Sequence, residues 1–541
     1  MAAAAAWLLA LCNRGLNPAD GAVQAFYGWE IAQGLTIYRD FFNPVAPAGY
    51  EIAALLERLF GHHLIVGRLY AAAQGLALVA AALAIGRRRL RYPFSLVPGI
   101  IYIAYTTALE SFPHYNQDSI FFFIVALAFF DARLDRPRPW LTLAGALSAS
   151  LSGCAKQSMA PAAVILTLTA LYLANRNRPR RDADREALLA GLGLALPAAI
   201  FFARLAMDHA LIEAWACMVG SGRMKNMLFL RFLPGAALLL ILGLGLVRIC
   251  IAVVRRRTAL YLPLGLAIMG AGALAAAFMP AQVSGPLLCG LAALTLLLFV
   301  HPQAQAAPGG AFGRRGPWTL LRVSGILLFI AGVSSGLDFS HLLMAGVGAS
   351  FFAGLFLQNL WGTSRASGAG PRILAGVSLT AVMAAGLYLD AAVPQLSYAQ
   401  GPRWNDTAPI RLPGLTMMRT SPEQARELTQ TIAWIEKNSG PDEKIFVYPW
   451  DLLIYYLSRR PAATYDTFLY FEIFDHDIAM RVIRDLDRNR PRIAVVKMEG
   501  DAIRHVAQTE EKLAIEGYLA ANYDRGERLG NYQIMVRKAG K

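Results

Sequence analysis

The ionisable side chains of this chain are not evenly spread. Asp20, Glu30, Arg39, Asp40, Glu110, His114, Asp118, Lys156, Asp208, Glu213, Arg223, Lys225, Asp338 and His341 fall at one set of ends of the apolar runs, or in the loops joining those ends. The runs themselves are nearly free of charge, with Arg248 the clearest exception. A transporter tends to bury ionisable groups in mid-span and to break its helices there. Carboxylates and cations gathered at one surface point instead to a reaction at that surface.

Each of these residues also has a plainer reading. Asp20, in NPADG, precedes a helical pattern and would serve equally as its N-cap. Asp118, in HYNQDS, has the same reading at the start of the next apolar run. Asp40 adjoins Arg39 in GLTIYRDFFNPVAPAGY (34–50), beside Pro44 and Pro47, where a solvated ion pair is the simpler account. Lys156 in GCAKQS, and Arg223 and Lys225 in GSGRMKN, either snorkel to the interface or pair with an anionic lipid headgroup. His62 and His63 are adjacent and cannot face one site together on a helix; His114 and His341 stand alone. No zinc spacing exists, so a metal would be a carboxylate-held divalent ion with few protein ligands. The cofactor reading is open between none and such an ion.

The elements that must position these residues follow from the composition. The chain has 541 residues, 56% hydrophobic and 16% charged, with a mean hydropathy of +0.42. Soluble domains run nearer a quarter charged. Apolar runs fall near 1–12, 62–86, 92–109, 118–132, 139–155, 158–174, 187–207, 228–254, 258–278, 283–300, 318–334, 340–361 and 373–392, which predicts about 13 membrane spans. RRRLR at 87–91, Arg133, Arg136 and Arg138, NRNRPRRDADR at 175–185, RRR at 255–257, RR at 314–315, and Arg365 and Arg372 then all fall on one side. By the positive-inside rule that side is the cytoplasm. The net charge of +15 is thus a matter of topology first, and gives no call for nucleic acid. The five cysteines (Cys12, Cys154, Cys217, Cys250, Cys289) are scattered and read as small core residues. The opening MAAAAAWLLALC lacks a basic leader and is short for a span; it reads as a short first span or as a chain whose true start lies upstream.

The opposite, outer side receives residues 13–61, 110–117, 208–227, 335–340 and a tail from about 393. In the first loop, 21–34 and 50–61 have amphipathic helical spacing and are expected to lie along the membrane interface. The tail, 394–541, is more charged. SPEQ at 421–424 is a capping box with Pro422 at the first helical position. EKIFVYPW (443–450) and RIAVVKM (492–498) read as strands, with helices between them and a last strand near 532–537, which predicts a small α/β domain. The expected architecture is therefore an α-helical polytopic membrane domain, 1–393, followed by an extracytoplasmic α/β domain, 394–541.

The run ADG…YGWEIAQGLTIYRDFFNPVAPAGYEIAALLERLFG resembles the first outer loop of the GT-C glycosyltransferases. The likeness is to the bacterial dolichyl-phosphate-mannose-protein-mannosyltransferase-like group, which includes the lipid A aminoarabinose transferase. HYNQDSIFFFIVALAFF resembles the second outer loop of that group. The resemblance rests on motifs over about the first 175 residues and on layout beyond.

It implies an inverting transferase in the bacterial cytoplasmic membrane. Such an enzyme moves a sugar from a polyprenyl-phosphate carrier to an envelope glycan, lipid or protein at the outer face. Asp20 matches the position of the general base for the acceptor hydroxyl; the family often has Asp-Glu where this chain has Asp20-Gly21. Asp40 matches a second acidic position, which orients the acceptor or holds a divalent ion. Arg39, Lys156, Arg223 and Lys225 would hold the lipid phosphate. Tyr38, His114 and Asp118 would line the substrate site. The alternative class is a non-catalytic membrane protein, either a lipid-linked-glycan transporter or a scaffold whose tail binds envelope partners.

Overall fold

The computed structural model describes residues 1–17, 20–105, 112–176, 178–218, 315–335, 349–355, 357–358, 406–467, 469, 476–498 and 510–539. The expected runs at 228–254, 258–278, 283–300 and 373–392, and the expected boundary at 393/394, lie outside these residues.

The described part is mostly helical. In chain order it contains α1 (Ala2–Cys12), α2 (Asp20–Ala32), α3 (Ala48–Phe60), α4 (Leu64–Arg89), α5 (Val97–Tyr105), α6 (Tyr115–Asp135), α7 (Pro139–Ala155), α8 (Ala160–Asn175), α9 (Arg180–Met207) and α10 (Arg315–Ser335). Among the described residues three helical stretches are long and apolar enough to cross a membrane: Leu64–Arg89, Gln157–Asn175 and Arg180–Met207. Small residues let these helices approach closely, as packing without a hydrophobic driving force requires. A Cβ at Gly193 of α9 would stand 2.9 Å from the Leu143 carbonyl oxygen of α7.

Two kinds of polar contact mark the two ends of the bundle. At the basic end, Arg88 and Arg89 of α4 both reach Asp131 of α6, at 2.8 and 2.7 Å. There too, Arg133 of α6 and Arg178 converge on Glu186 of α9. At the other end, Lys156 after α7 meets Asn116 of α6, and Arg39 of the first loop meets the Asp208 carbonyl after α9. Among the described residues, the contacts of Arg88, Arg89, Arg133 and Arg178 thus lie at the opposite ends of α6 and α9 from those of Lys156 and Arg39.

The C-terminal part contains α11 (Pro422–Asn438), α12 (Leu452–Ser458), α13 (His476–Asn489) and α14 (Glu510–Asn522). Two short strands, β1 (Ala408–Pro409) and β2 (Arg419–Thr420), form one pair; β3 (Phe446–Tyr448), β4 (Ile493–Lys497), β5 (Tyr523–Leu529) and β6 (Tyr532–Arg537) form a sheet of order β3-β4-β6-β5. β3 and β4 are parallel, and the β4–β6 and β5–β6 pairs are antiparallel. Inward side chains of one sheet face, Val447, Val495 and Ile534, join a core with α11 and α12; those of the other face, Phe446, Ala494 and Met535, join a core with α13 and α14.

The first of these cores does not stop at the tail. It continues into Phe26, Tyr27 and Ile31 of α2 and Ile37, Tyr38 and Phe41 of the following loop. The capping box also differs from its expected form. Ser421 accepts from the Gln424 amide at 3.2 Å, but the Gln424 side chain does not close the box: its Nε2 donates to the Leu16 carbonyl and its Oε1 accepts from the Thr420 hydroxyl.

Candidate active site

The loop 13–61 is held between the helical bundle and the tail. Residues 13–15 pair with β2: the Arg419 amide donates to the Asn13 carbonyl at 2.8 Å, and the Gly15 amide to the Arg419 carbonyl at 3.0 Å. α2 is buried almost all round, with Phe26 stacked on Tyr455 of α12 at 5.3 Å. It is therefore not the interfacial amphipathic helix expected from its spacing. The tail covers the face that the sequence left for lipid or water. α3 keeps the expected asymmetry: Tyr50, Ala53 and Ala54 are buried, while Leu55, Leu59 and Phe60 are exposed.

Asp118, in the first turn of α6, is fully buried and is the meeting point of four elements. Its Oδ1 accepts from Tyr70 Oη at 2.9 Å and Gln74 Nε2 at 2.7 Å, both on α4; its Oδ2 accepts from Gln24 Nε2 of α2 at 2.7 Å. Gln24 Nε2 also donates to the Gly49 carbonyl of α3 at 2.7 Å. Three charge-assisted bonds satisfy a carboxylate that would be costly to bury alone. The cap of α6 is not Asp118 but His114, whose Nδ1 accepts from the Asn116 amide at 3.3 Å.

The segment before Asp118 carries a ladder of rings and cations. Arg68 of α4 is buried, donates to the Gly15 carbonyl at 2.8 Å and lies 5.4 Å from the Phe112 ring centre. Phe112 meets His114 edge-on, and His114 lies 4.1 Å from Tyr115. Lys156, buried at the end of α7, donates to Asn116 Oδ1 at 2.6 Å and lies 5.7 Å from the Tyr115 ring centre. Asp20 is the first residue of α2; its side chain lies outside the described part. Its neighbour Gly21 places it near this ladder, since a Cβ there would be 3.5 Å from Phe112 Cδ1. His114, Asp118 and Lys156 thus gather around the start of α6, and the start of α2 reaches the same segment through Gly21 and Phe112.

Tyr38, Arg39 and Asp40 belong to another. α2 has 13 residues and is about 18 Å long at 1.5 Å per residue. The turn 36–40 follows its far end. Asp40 accepts from Arg39 Nε at 3.0 Å, Arg39 Nη2 at 2.9 Å and the Thr36 amide at 2.7 Å. The Arg39 hydrogen bond holds the Asp40 carboxyl below its usual range. Arg39 also donates to the Asp208 carbonyl at 3.1 Å, and its side chain is 44% exposed. The Tyr38 ring is buried; its hydroxyl donates to the Val45 carbonyl at 2.6 Å. From this turn the stretch 34–50 runs as a strap to Asp118. Gln157 holds its middle by accepting from the Ala46 amide and donating to the Pro44 carbonyl. Arg223 and Lys225 lie outside the described residues.

Spacing did not single out Gln24, Tyr70, Gln74, Arg68 or Glu30 as site residues. Arg68 and Tyr70 were open to discovery as polar groups at the start of an apolar run. Glu30 of α2 is buried, its Oε2 has no hydrogen-bond partner among the described residues, and burial, helped by nearby Asp40, pushes its carboxyl up to about 8. Among the described residues no group of three or more His, Cys, Asp or Glu side chains could hold a metal ion. The oxygens of Asp40 and Asp118 are already taken by hydrogen-bond donors, so a cation there would have to displace them.

No protein-family model matches the sequence, and no curated protein matches it. Solved structures do. The chain superposes on ArnT from Cupriavidus metallidurans, bound to undecaprenyl phosphate, with a TM-score of 0.56 at 15% identity, over 100% of this chain and 97% of that one. The fold is that of the GT-C glycosyltransferases. Two structures of the Archaeoglobus fulgidus oligosaccharyltransferase agree. The complex with Zn and sulfate has a TM-score of 0.55 at 14% identity, over 98% of this chain and 72% of that one. The complex of this enzyme, AglB, with an inhibitory peptide and a dolichol-phosphate has a TM-score of 0.51 at 14% identity, over 99% and 74%. The GT-C fold is thus shared from end to end with a protein solved on a polyprenyl phosphate.

Proposed function

We propose that this chain is an integral-membrane GT-C glycosyltransferase. In this reading it moves a sugar from a polyprenyl-phosphate carrier to an envelope glycan, lipid or protein at the outer face of a bacterial cytoplasmic membrane, with inversion at the anomeric carbon. The observation that carries it is the end-to-end likeness to a structure holding undecaprenyl phosphate. The enclosed polar region at the start of α2 and α6 gives the chemistry a place.

Asp20 is the general base. It takes the proton of the acceptor hydroxyl as that oxygen attacks the sugar, and the carrier phosphate leaves with the bonding electrons. Phosphate is a good leaving group, so a cation suffices to stabilise it. Lys156 supplies that cation from the described residues, and Arg223 and Lys225 are further candidates. Asp118 is a positioning residue: it fixes α2, α3, α4 and α6 around the site. Arg68 holds the segment that leads to Asp20. Asp40 and Arg39 lie at the other end of α2, where they brace the strap against α9; a role on the acceptor is read from the motif and not from proximity to Asp20. A zinc ion accompanies one oligosaccharyltransferase structure; here the oxygens of Asp40 and Asp118 are already taken by hydrogen-bond donors.

The test uses purified protein in lipid nanodiscs with a panel of polyprenyl-phosphate sugars and envelope glycolipids. Free polyprenyl phosphate is followed by mass spectrometry. Release with one donor, abolished by Asp20→Asn in a protein of unchanged melting temperature, is expected. No release with any donor from folded protein would favour a transporter or scaffold, and Asp20 would be an ordinary helix cap.

A further inference from the structure

The tail carries a cleft of about 360 Å³ that lies apart from the region just described. Its place in the fold is informative. β3 and β4 are the parallel pair of the sheet, and the cleft is lined by the residues at their C-terminal ends: Tyr448 and Pro449 from one, Val496 to Met498 from the other. Open α/β sheets bind ligands at that end of parallel strands. The opposite wall is one face of α14, with Lys512, Glu516 and Leu519 at helical spacing. The third side is β5, where Tyr523 and Arg525 alternate onto the same face.

The charges lining the cleft do not cancel. Among the described lining residues, Lys497, Lys512 and Arg525 face one carboxylate, Glu516. Lys497 is neutralised behind the cleft by Asp451 at 3.1 Å. Lys512 is only 8% exposed and pairs with Glu516 at 3.6 Å. Arg525 is exposed, and among the described residues no ion pair engages it. A buried lysine and an unengaged guanidinium on two walls of one cleft make a site for an anion, because a guanidinium presents a planar fork to carboxylate or phosphate. Most of the remaining described lining is apolar or aromatic, Tyr448, Tyr523, Leu519 and Met535 among it, and Gln533 adds one polar side chain. Pockets for small ligands run roughly 300–1,000 Å³ with mostly apolar walls and a few polar anchors. This cleft sits at the small end of that range, the size of one sugar unit with its charged group.

We propose that the tail cleft binds a single anionic saccharide unit, with its phosphate or carboxylate between Lys512 and Arg525 and its ring against Tyr448 and Tyr523. That the saccharide belongs to the acceptor rests on the transferase reading above; the binding site itself does not.

The experiment measures binding to the full-length protein in nanodiscs by calorimetry, with saturation-transfer NMR to show which ligand atoms are held. The probes are a hexose 1-phosphate, a hexuronate, the neutral hexose and inorganic phosphate. At least one of the charged sugars should bind at least tenfold more tightly than both the neutral hexose and inorganic phosphate. Preference for the phosphate or the carboxylate form identifies the anion. Arg525→Glu, a surface change on β5, should weaken that binding at least tenfold. Asp20→Asn should leave it unaltered, which separates this site from the transfer reaction. Equal binding of charged and neutral sugars, phosphate binding as well as the sugars, or full affinity in Arg525→Glu with an unchanged melting temperature would each overturn the proposal. Binding that meets these criteria in a protein without transferase activity would leave the cleft standing and remove only its assignment to the acceptor.

Discussion

Gly49 is pressed against Asp118: a Cβ at position 49 would stand 2.6 Å from Asp118 Oδ2 and 2.9 Å from Gln24 Nε2. Neither atom is free to retreat, because each is held by a hydrogen bond to the other and by further bonds to α3 and α4. Gly49→Ala should therefore destabilise the protein by about 1–3 kcal/mol, the usual range for overfilling a packed site. Transfer activity should fall as well, because the strap 34–50 is displaced from α6. Thermal unfolding and donor turnover on the same preparation check this. A variant with unchanged melting temperature and activity would show that the four-element junction yields easily.

Lys156 offers a way to separate structure from binding. Lys156→Met keeps the length and apolar stem while removing the charge. The hydrogen bond lost to Asn116 at 2.6 Å should cost about 0.5–1.5 kcal/mol, the net value of an ordinary internal hydrogen bond, or somewhat more for a charged donor. If the ammonium also stabilises the leaving phosphate, kcat should drop by far more than stability predicts, roughly 10²- to 10³-fold as when one transition-state donor is removed. A loss of stability without a loss of kcat would make Lys156 a structural cap of α7.

The sequence was most readable where a single rule acts alone. The described apolar runs became helices near the expected limits, since length and hydropathy decide them. The arginine clusters separated the two ends of the bundle. Ser421 capped α11. The strands at Phe446–Tyr448 and Ile493–Lys497 were evident from their branched and aromatic residues. What was hidden depends on partners distant in sequence. α2 reads as amphipathic, yet Tyr455 from the tail covers its second face. Asp118 reads as a helix cap, but Gln24, Tyr70 and Gln74 converge on it from two other helices. Asp20 and Asp40 read as a pair through their motif, while the helix between them sets them apart. β5 was missed because YDRGERL lacks an apolar face; its burial pattern leaves only the two end residues covered.

Glu30 makes stability depend on pH in a defined direction. Its carboxyl titrates near 8 in the folded protein, against about 4.3 for a free glutamate. Between those values the folded state keeps a proton that the unfolded state has lost. Stability from this group is therefore fully present below pH 4 and declines as pH rises, levelling off above 8. Glu30→Gln mimics the neutral form. The variant should be more stable than the parent at pH 8, and the difference should shrink toward pH 5. Unfolding in detergent across that range gives the answer; a difference that does not change with pH would mean that Glu30 is ionised in the fold.

The contact between the first loop and the tail has its own latch. Tyr456 Oη of α12 donates to Glu57 Oε1 of α3 at 2.7 Å, while His62 lies between Glu57 Oε2 at 3.3 Å and the Tyr456 carbonyl at 2.7 Å. The His62 and Tyr456 rings are also in contact, with centres 3.8 Å apart. Tyr456→Phe keeps the ring contact and removes only the donor to a carboxylate, which should cost about 1.5–3 kcal/mol. The loss should be local. Hydrogen exchange is expected to accelerate in 452–458 and in α2, with little change at the basic end of the bundle around Asp131, because the shared core joins α2 to the tail and not to that end. Faster exchange spread evenly through the bundle would mean that the latch supports the whole fold. Unchanged exchange in 452–458 would mean that apolar packing alone holds the tail on the loop.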